Sequence, residues 1–331
     1  MQAIKKILII RFSSIGDIVL TSPIVRCLKK QLPDAEIHFL VKKQYAILLN
    51  NNPFVAKIHI LERNAKEIIP ALKKEKFDFV VDLQKNRRSL FVRTCLGVNY
   101  GTFNKLNKKK WLFTNFKINL LPDIHIVDRY FQAVKKLNIT NDYQGLDFFI
   151  SFKDQVDIKQ ALPAKFHHGY IALATGSKQN TKKIPLEKML EICSAIEKPI
   201  VLLGSKEDSE NAIKVCDNLG ENVFNACGIY NINQSASIVE QADAVISSDT
   251  GLMHIAAAMK KKVVAVWGNT VPAFGMYPYY PQGKDNYHNA EVTNLKCRPC
   301  SKLGYKKCPK KHFRCMMDID ARKIAELVKT K

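Results

Sequence analysis

The sequence predicts an α/β protein made of two doubly wound parallel-sheet domains. Three observations predict it. Short β-rich apolar runs alternate with helical periodicity from the start, the rhythm breaks off near the middle and begins afresh, and 331 residues suffice for two domains that each bury a core.

The first strand is expected at residues 7–12, followed by a helix at 18–32, a strand at 37–41 and a helix at 45–50. A strand at 57–61, a helix at 65–74 and a near-continuous apolar strand at 77–83 extend the βαβ series into a buried parallel sheet. Residues 101–120 break the pattern by setting Lys105, Lys108, Lys109 and Lys110 among Phe103, Trp111, Phe113 and Phe116, and a helix at 126–137 closes this half. Residues 140–168, punctuated by Asn, Asp, Gly and Pro, read as a linker with some structure. Strands are then expected at 169–174, 199–203, 223–226, 244–247 and 262–267, with helices at 186–196, 208–219 and 234–241 between them. The domain boundary is placed between residues 160 and 161, giving domains 1–160 and 161–331. Two such domains leave ligand space at the carboxyl ends of both sheets.

The balance of 52 basic against 30 acidic residues gives a net charge of +22, so an anionic partner is expected. Nucleic acid, an anionic membrane surface and a phosphorylated substrate all fit. Arg11 and Asp17 interrupt the apolar stretch at the start, which reads as a first strand rather than a signal peptide. No run of about eighteen apolar residues occurs, so no spanning helix is expected. Nine cysteines, an odd number and scattered, argue against a secreted disulfide framework.

The run Ser248-Asp249-Thr250-Gly251-Leu252-Met253-His254 follows an apolar strand and opens a helix. Its first amides, with the positive end of the helix dipole behind them, suit a diphosphate, although Asp249 or Thr250 as a helix cap accounts for the same residues. At the first strand end, Arg11-Phe12-Ser13-Ser14-Ile15-Gly16-Asp17 carries a single glycine and no dinucleotide fingerprint. Asp17 suits either an N-cap or a general base, while Ser13 and Ser14 can bond substrate or cap the helix. Thr175-Gly176-Ser177 with Lys182 and Lys183 offers the ingredients of a phosphate cradle without Walker spacing; the bland alternative for Lys182 is a solvated lysine. Glu207 and Asp208 follow the next strand, where a carboxylate can accept ribose hydroxyls; capping is the preferred role for Asp208. Arg87 and Arg88 follow the strand that ends Asp82-Leu83-Gln84 and are candidate contacts to acceptor phosphate.

Taken together, the Arg-x-Ser-Ser-x-Gly-Asp start, the Gly-Ser loop with Lys182-Lys183-Ile184-Pro185, the Ser-Asp-Thr-Gly-Leu-Met-His segment and the tail Cys297-Arg298-Pro299-Cys300 with Cys308 and Cys315 resemble the ADP-heptose-dependent lipopolysaccharide heptosyltransferases of glycosyltransferase family nine. The likeness runs in order over nearly the whole chain. It implies a GT-B architecture, two Rossmann-like domains facing a central cleft, and inverting transfer of a heptose or related sugar from an ADP-activated donor to Kdo or heptose on lipid A. The N-terminal domain would bind acceptor and the C-terminal domain donor. By this resemblance Asp17 is the base, Lys182 meets the donor diphosphate, and Asp249, Thr250, Gly251, Leu252 and His254 form the donor segment. Glu207 approximates a ribose-binding acid, with Thr175, Gly176 and Ser177 also on the donor side and Ser13, Ser14, Gly16, Arg87 and Arg88 on the acceptor side. Two departures, Ile184 in place of tryptophan and Gly268-Asn269-Thr270 in place of Gly-Pro-Thr, are expected to alter the donor pocket wall.

Such a transfer needs a base at the attacking hydroxyl and fixed positive potential at the departing diphosphate. Lys182 and the amides of Thr250 and Gly251 would supply the latter, in place of a metal. The expectation is therefore a cytoplasmic monomer at the inner face of the inner membrane, with no required cofactor and no nucleic-acid partner. The cationic and aromatic segment 105–116 suits an anionic glycolipid or that membrane surface, or else is a solvated loop. Cys297, Cys300, Cys308 and Cys315 are separated by two, seven and six residues. Four thiolates can hold zinc, but the second pair is wider than a zinc knuckle, and reduced thiols or a disulfide are preferred. The alternatives carried forward are a transferase using another nucleotide sugar and a basic nucleic-acid-binding protein without catalysis.

Overall fold

The structure, a computed structural model, describes residues 4–283 and 286–329. The chain forms two compact units, one of residues up to Lys105 with Ile124–Phe149, the other of Leu106–Asp123 with the residues from Ile150 onward.

The first unit is a five-stranded sheet of β1 (Lys6–Ile10), β2 (Glu36–Lys42), β3 (Lys57–Leu61), β4 (Phe79–Asp82) and β5 (Asn99–Thr102) in the order β3-β2-β1-β4-β5. Every pair is parallel. Parallel neighbours need crossovers that cover the faces, and Ile7, Leu8, Ile9 and Ile10 of the central strand are all fully buried. The order reverses between β1 and β4, which puts the loops after those two strands beside one another at a topological switch point.

The second unit repeats the plan with β6 (Ile171–Ala174), β7 (Ile200–Leu203), β8 (Val223–Asn225), β9 (Ala244–Ser248), β10 (Lys262–Trp267) and β11 (Tyr287–Glu291), ordered β11-β10-β9-β6-β7-β8 and parallel throughout. Its switch point lies between β6 and β9. Two apolar clusters cover its faces, one around Ile192, Leu202, Ile246 and Ile324, the other around Tyr170, Val201, Met253 and Trp267.

Several local expectations change. The helix expected at 18–32 is two helices, Ile15–Val19 and Ser22–Gln31, with Pro23 in the first turn of the second, where its missing N–H costs nothing. Residues 45–50 lie largely in a 3-10 turn, Lys43–Leu48, and the helix expected at 126–137 stops at Tyr130 and continues as 3-10 turns. Within 101–120 the structure has a helix, Asn107–Phe116, that buries no residue, so no apolar stripe announced it. That helix belongs to the second unit, as do residues 150–160. There Asp154 accepts from Asn231 Nδ2 at 3.0 Å and Asn233 Nδ2 at 3.2 Å, and the Val156 amide donates to Ser237 Oγ at 2.9 Å. Strand β11 and the helix Ala321–Lys329 also went unread. No described helix is long and apolar enough to cross a membrane.

Candidate active site

In the first unit, the chain leaves β1 through Arg11 and Phe12 and enters the helix Ile15–Val19 with Ser14 as N-cap. Asp17 is not the cap but the third helical residue: its Oδ2 accepts from the Ser14 amide at 3.1 Å and the Ser14 hydroxyl at 2.8 Å, closing a capping box. Its Oδ1 is ion-paired with Arg11 Nη2. The buried Arg11 guanidinium also donates to Leu83 O at 2.6 Å and Ser13 O at 3.0 Å. Burial opposes its charge, but Asp17 first, then Tyr130 and Asp82, outweigh that and raise its pKa above the usual value. Arg11 thereby fixes the carboxylate of Asp17 against the end of β4. Gly16 is buried, Ser13 half-buried and Ser14 exposed.

The loop after β4 is organised by Asp82, whose Oδ1 accepts from the amides of Gln84 at 3.0 Å and Lys85 at 2.7 Å and whose Oδ2 accepts from Ser89 Oγ at 2.9 Å. Asn86 and Ser89 close a second capping box, and the helix Arg87–Leu96 begins with Arg87 and Arg88, both exposed. Two cations in a first turn oppose the helix dipole, so helix stability does not account for them.

In the second unit the expected donor residues meet around the switch point. Lys182, at the end of a 3-10 turn after β6, reaches Asp249 Oδ2, just after β9, at 2.6 Å. Thr270, after β10, donates to the same oxygen at 3.0 Å. Three loops thus converge on one carboxylate. Thr250 is the N-cap of the helix Gly251–Ala258, and its hydroxyl meets Ser247 Oγ at 3.0 Å rather than capping through its side chain. No side chain caps the first turn of this helix, whose leading amides have no acceptor within the helix. Leu252 is half-buried and His254 buried.

The Thr175-Gly176-Ser177 turn packs against the turn after β7. A Cβ on Gly176 would lie 2.7 Å from Asp208 Oδ2, and one on Gly204 would lie 2.4 Å from Thr175 Oγ1, so both glycines are needed for this approach. Asp208 forms a capping box with Ser205 and a 2.5 Å ion pair with Lys183. Burial pushes its carboxyl up, but Lys183 and the Ser205 hydroxyl and amide prevail and hold it below the usual range. Capping is thus its observed role, and Glu207 beside it is exposed.

The two departures resolve differently. Ile184 is 2 % exposed and packs in the apolar core. Asn269 is also buried, and neither its Oδ1 nor its Nδ2 has a hydrogen-bond partner. The tail acts through residues that its cysteines obscured. Buried Arg298 donates to Gly268 O at 2.6 Å, Thr270 O at 3.0 Å, Val292 O at 2.5 Å and Glu291 Oε2 at 2.8 Å. Tyr305 and Thr181 exchange backbone and hydroxyl bonds at 2.7–3.1 Å beside Lys182. The nine cysteines are free thiols; Cys300 Sγ donates to Cys297 O at 3.0 Å, and Cys297 Sγ lies 3.8 Å from His312 Nε2. Lys117, after the helix Asn107–Phe116, donates to the carbonyls of Cys297 at 3.2 Å and Pro299 at 2.7 Å, and Phe113 meets Phe274 edge-on at 6.0 Å. Arg11, Asp82, Thr270 and Arg298 are the site-organising residues that sequence reasoning missed.

Comparison with known proteins finds heptosyltransferases. The chain is 25% identical to lipopolysaccharide heptosyltransferase 1 of Campylobacter coli, covering 98% of each chain, and 26% identical to lipooligosaccharide heptosyltransferase 2 of Haemophilus ducreyi, covering 81% of this chain and 85% of the other. Among solved structures, E. coli ADP-heptose LPS heptosyltransferase II superposes with a TM-score of 0.71 at 19% identity, covering 98% of this chain and 97% of the other. E. coli heptosyltransferase WaaC with ADP gives 0.68 at 20% identity, covering 98% and 99%. The fold is that of the GT-B heptosyltransferases, two parallel-sheet α/β domains. The model of glycosyltransferase family 9 (heptosyltransferase) matches residues 66–310, and the chain belongs to that glycosyltransferase family.

Proposed function

We propose that this enzyme transfers a heptose, with inversion, from an ADP-activated donor to the inner core of lipopolysaccharide, the acceptor sugar being Kdo or a heptose on lipid A. The observation that carries the reading is the meeting of Lys182, Asp249 and Thr270 beside the amino end of the helix Gly251–Ala258. An ammonium beside a helix amino end that no side chain caps suits a diphosphate. The ADP and ADP-2-deoxy-2-fluoro heptose named in the E. coli WaaC structures support the donor class, and the names of the relatives support the acceptor.

In the proposed reaction the acceptor hydroxyl oxygen attacks the anomeric carbon, its proton passes to Asp17, and the carbon–oxygen bond to the diphosphate breaks with its electron pair on the phosphate oxygen. The carboxylate of Asp17, ion-paired with Arg11 and bonded to Ser14, is the proton acceptor in this reading. Lys182, turned from Asp249 to the diphosphate, and the amides of Thr250 and Gly251 then stabilise the charge that builds on the leaving group. Thr175, Gly176, Ser177 and Glu207 complete the donor side, with Leu252 and His254 behind it. Ser13, Ser14, Gly16, Arg87 and Arg88 bind the acceptor, the exposed arginines taking its phosphates. Exposed Trp111, Phe116, Ile118 and Leu120 beside Lys108 and Lys109 suit the anionic glycolipid or the cytoplasmic membrane surface that carries it. In this reading the unit of Leu106–Asp123 with the residues from Ile150 onward is the donor unit, and that of the residues up to Lys105 with Ile124–Phe149 the acceptor unit.

A panel of ADP- and UDP-sugars read by thermal stabilisation and donor hydrolysis tests this function. Selective response to ADP-heptose is expected. Equal response to UDP-sugars, or none to either, overturns the donor assignment.

A further inference from the structure

On the β2–β3 side of the first sheet, two buried histidines face one another. His38 of β2 and His59 of β3 lie on the same face, since Leu40 is the registered partner of His59. Their Nδ1 and Nε2 atoms are 3.0 Å apart, with Phe77 edge-on to both rings at 5.2 and 5.9 Å. Glu75, the C-cap of the helix Ala65–Lys74, brings Oε2 to 4.0 Å from His38 Nδ1. Among the described residues these three ligand atoms all lie within 4.8 Å of one another.

From this geometry we propose that His38, His59 and Glu75 bind a divalent transition metal of the zinc class, tying β2, β3 and the end of the helix Ala65–Lys74 together. Tetrahedral zinc with nitrogen ligands at about 2.0–2.1 Å separates them by about 3.3 Å. The imidazole pair therefore needs only a slight opening, and Glu75 a move of no more than about 1.5 Å. Two imidazoles and a carboxylate are the donor set zinc accepts, with water completing the shell.

The surroundings carry two further marks of a ligand set. Glu36 Oε2 lies 3.4 Å from His38 Nε2, the carboxylate behind the imidazole that orients a metal-bound histidine. Holding the proton on Nε2 turns the lone pair of Nδ1 toward His59. Without metal, His59 donates its Nε2 proton to that lone pair; with metal, the proton resides on His59 Nδ1 and both facing nitrogens coordinate, with no net proton released. Glu75 is likewise divided, Oε1 held by Lys57 at 2.5 Å and Oε2 turned inward. The competing cation is Lys6, whose Nζ is 3.5 Å from Glu75 Oε2 and 3.3 Å from Glu36 Oε2. Its side chain is one-third exposed and has solvent to withdraw into.

The test is titration of chelator-treated full-length protein with zinc against a chromophoric competitor, and with cobalt(II) read by its visible spectrum. One equivalent is expected, with no thiolate charge-transfer band, lost in His59→Gln and retained in the double variant Cys297→Ser, Cys300→Ser. Glu36→Gln weakens binding roughly 10–100-fold, the usual cost of losing the carboxylate that orients a ligating imidazole. Zinc raises the melting temperature of the wild type and not of His59→Gln. Should His59→Gln fail to fold, Lys6→Gln still decides: removal of the competing ammonium tightens binding, and unchanged affinity overturns the site. Absence of binding in the wild type, or binding lost with the tail cysteines and kept in His59→Gln, overturns it equally.

Discussion

Lys182 meets Asp249 at 2.6 Å although the two follow different strands, β6 and β9, on either side of the switch point in the second sheet. The carboxylate holds the ammonium, and Thr270 holds the carboxylate. Replacing Lys182 with Met is expected to lower turnover by roughly a hundred- to a thousandfold, the usual cost of losing a preorganised charge contact. Lys182→Arg should recover only part of that, because a planar fork does not reproduce a point charge. Steady-state transfer assays decide; near-normal turnover in the Met variant removes Lys182 from the chemistry.

Asp17→Ala should abolish transfer while leaving donor binding intact, as measured by calorimetry with ADP. Loss of both together would make Asp17 a structural member of its capping box and nothing more. Arg11→Met is the companion variant, because Arg11 acts through Asp17. It should lower kcat and shift the pH-rate profile, with the KM for donor unchanged.

Arg298 is almost wholly buried and serves four acceptors, so Arg298→Ala leaves Glu291 and three carbonyls short of a donor. A loss of about 3 kcal/mol is expected from denaturant unfolding. Cys300→Ser should cost far less, since its thiol makes one weak bond to Cys297 O. The reverse ranking would return the tail motif to its cysteines.

How much of this was legible in the sequence follows from the range of each interaction. The βαβ alternation and the polar turns after β1, β6 and β9 are local patterns, and they led to Asp17, Lys182 and the 249–251 segment. Arg11 owes its role to Leu83, and Arg298 owes its role to Gly268 and Thr270. No local signal separates such residues from solvated arginines in a chain this basic. The helix Asn107–Phe116 was missed for a related reason: it buries none of its own residues, so period and composition gave no sign of it.

Acid sensitivity should concentrate at Arg26, which pairs with Asp142 at 2.7 Å and with Asp147. The hydrogen bond from Arg26 is the main reason the Asp142 pKa is lowered to about 2, against some burial. Such a carboxylate contributes stability that is complete above its ordinary value of 3.8 and lost as pH falls toward about 2. Asp147 runs the other way, since burial raises it. Asp142, with two guanidinium bonds and the Gln144 amide, therefore carries the dependence. Melting temperatures followed from about pH 5 to about pH 2.5 should fall more steeply for wild type than for Asp142→Asn. Parallel slopes would refute the assignment.

The chain passes between its two units at 105/106, again at 123/124 and finally at 149/150. No single cut therefore liberates either one. A fragment starting at Ile150 leaves behind the helix Asn107–Phe116, taking the Phe113 ring from Phe274 and the Lys117 ammonium from the carbonyls of Cys297 and Pro299. Any hybrid that exchanges the later unit with a relative must carry residues 106–123 along with it, because that short excursion is a piece of the later unit written into the middle of the earlier one.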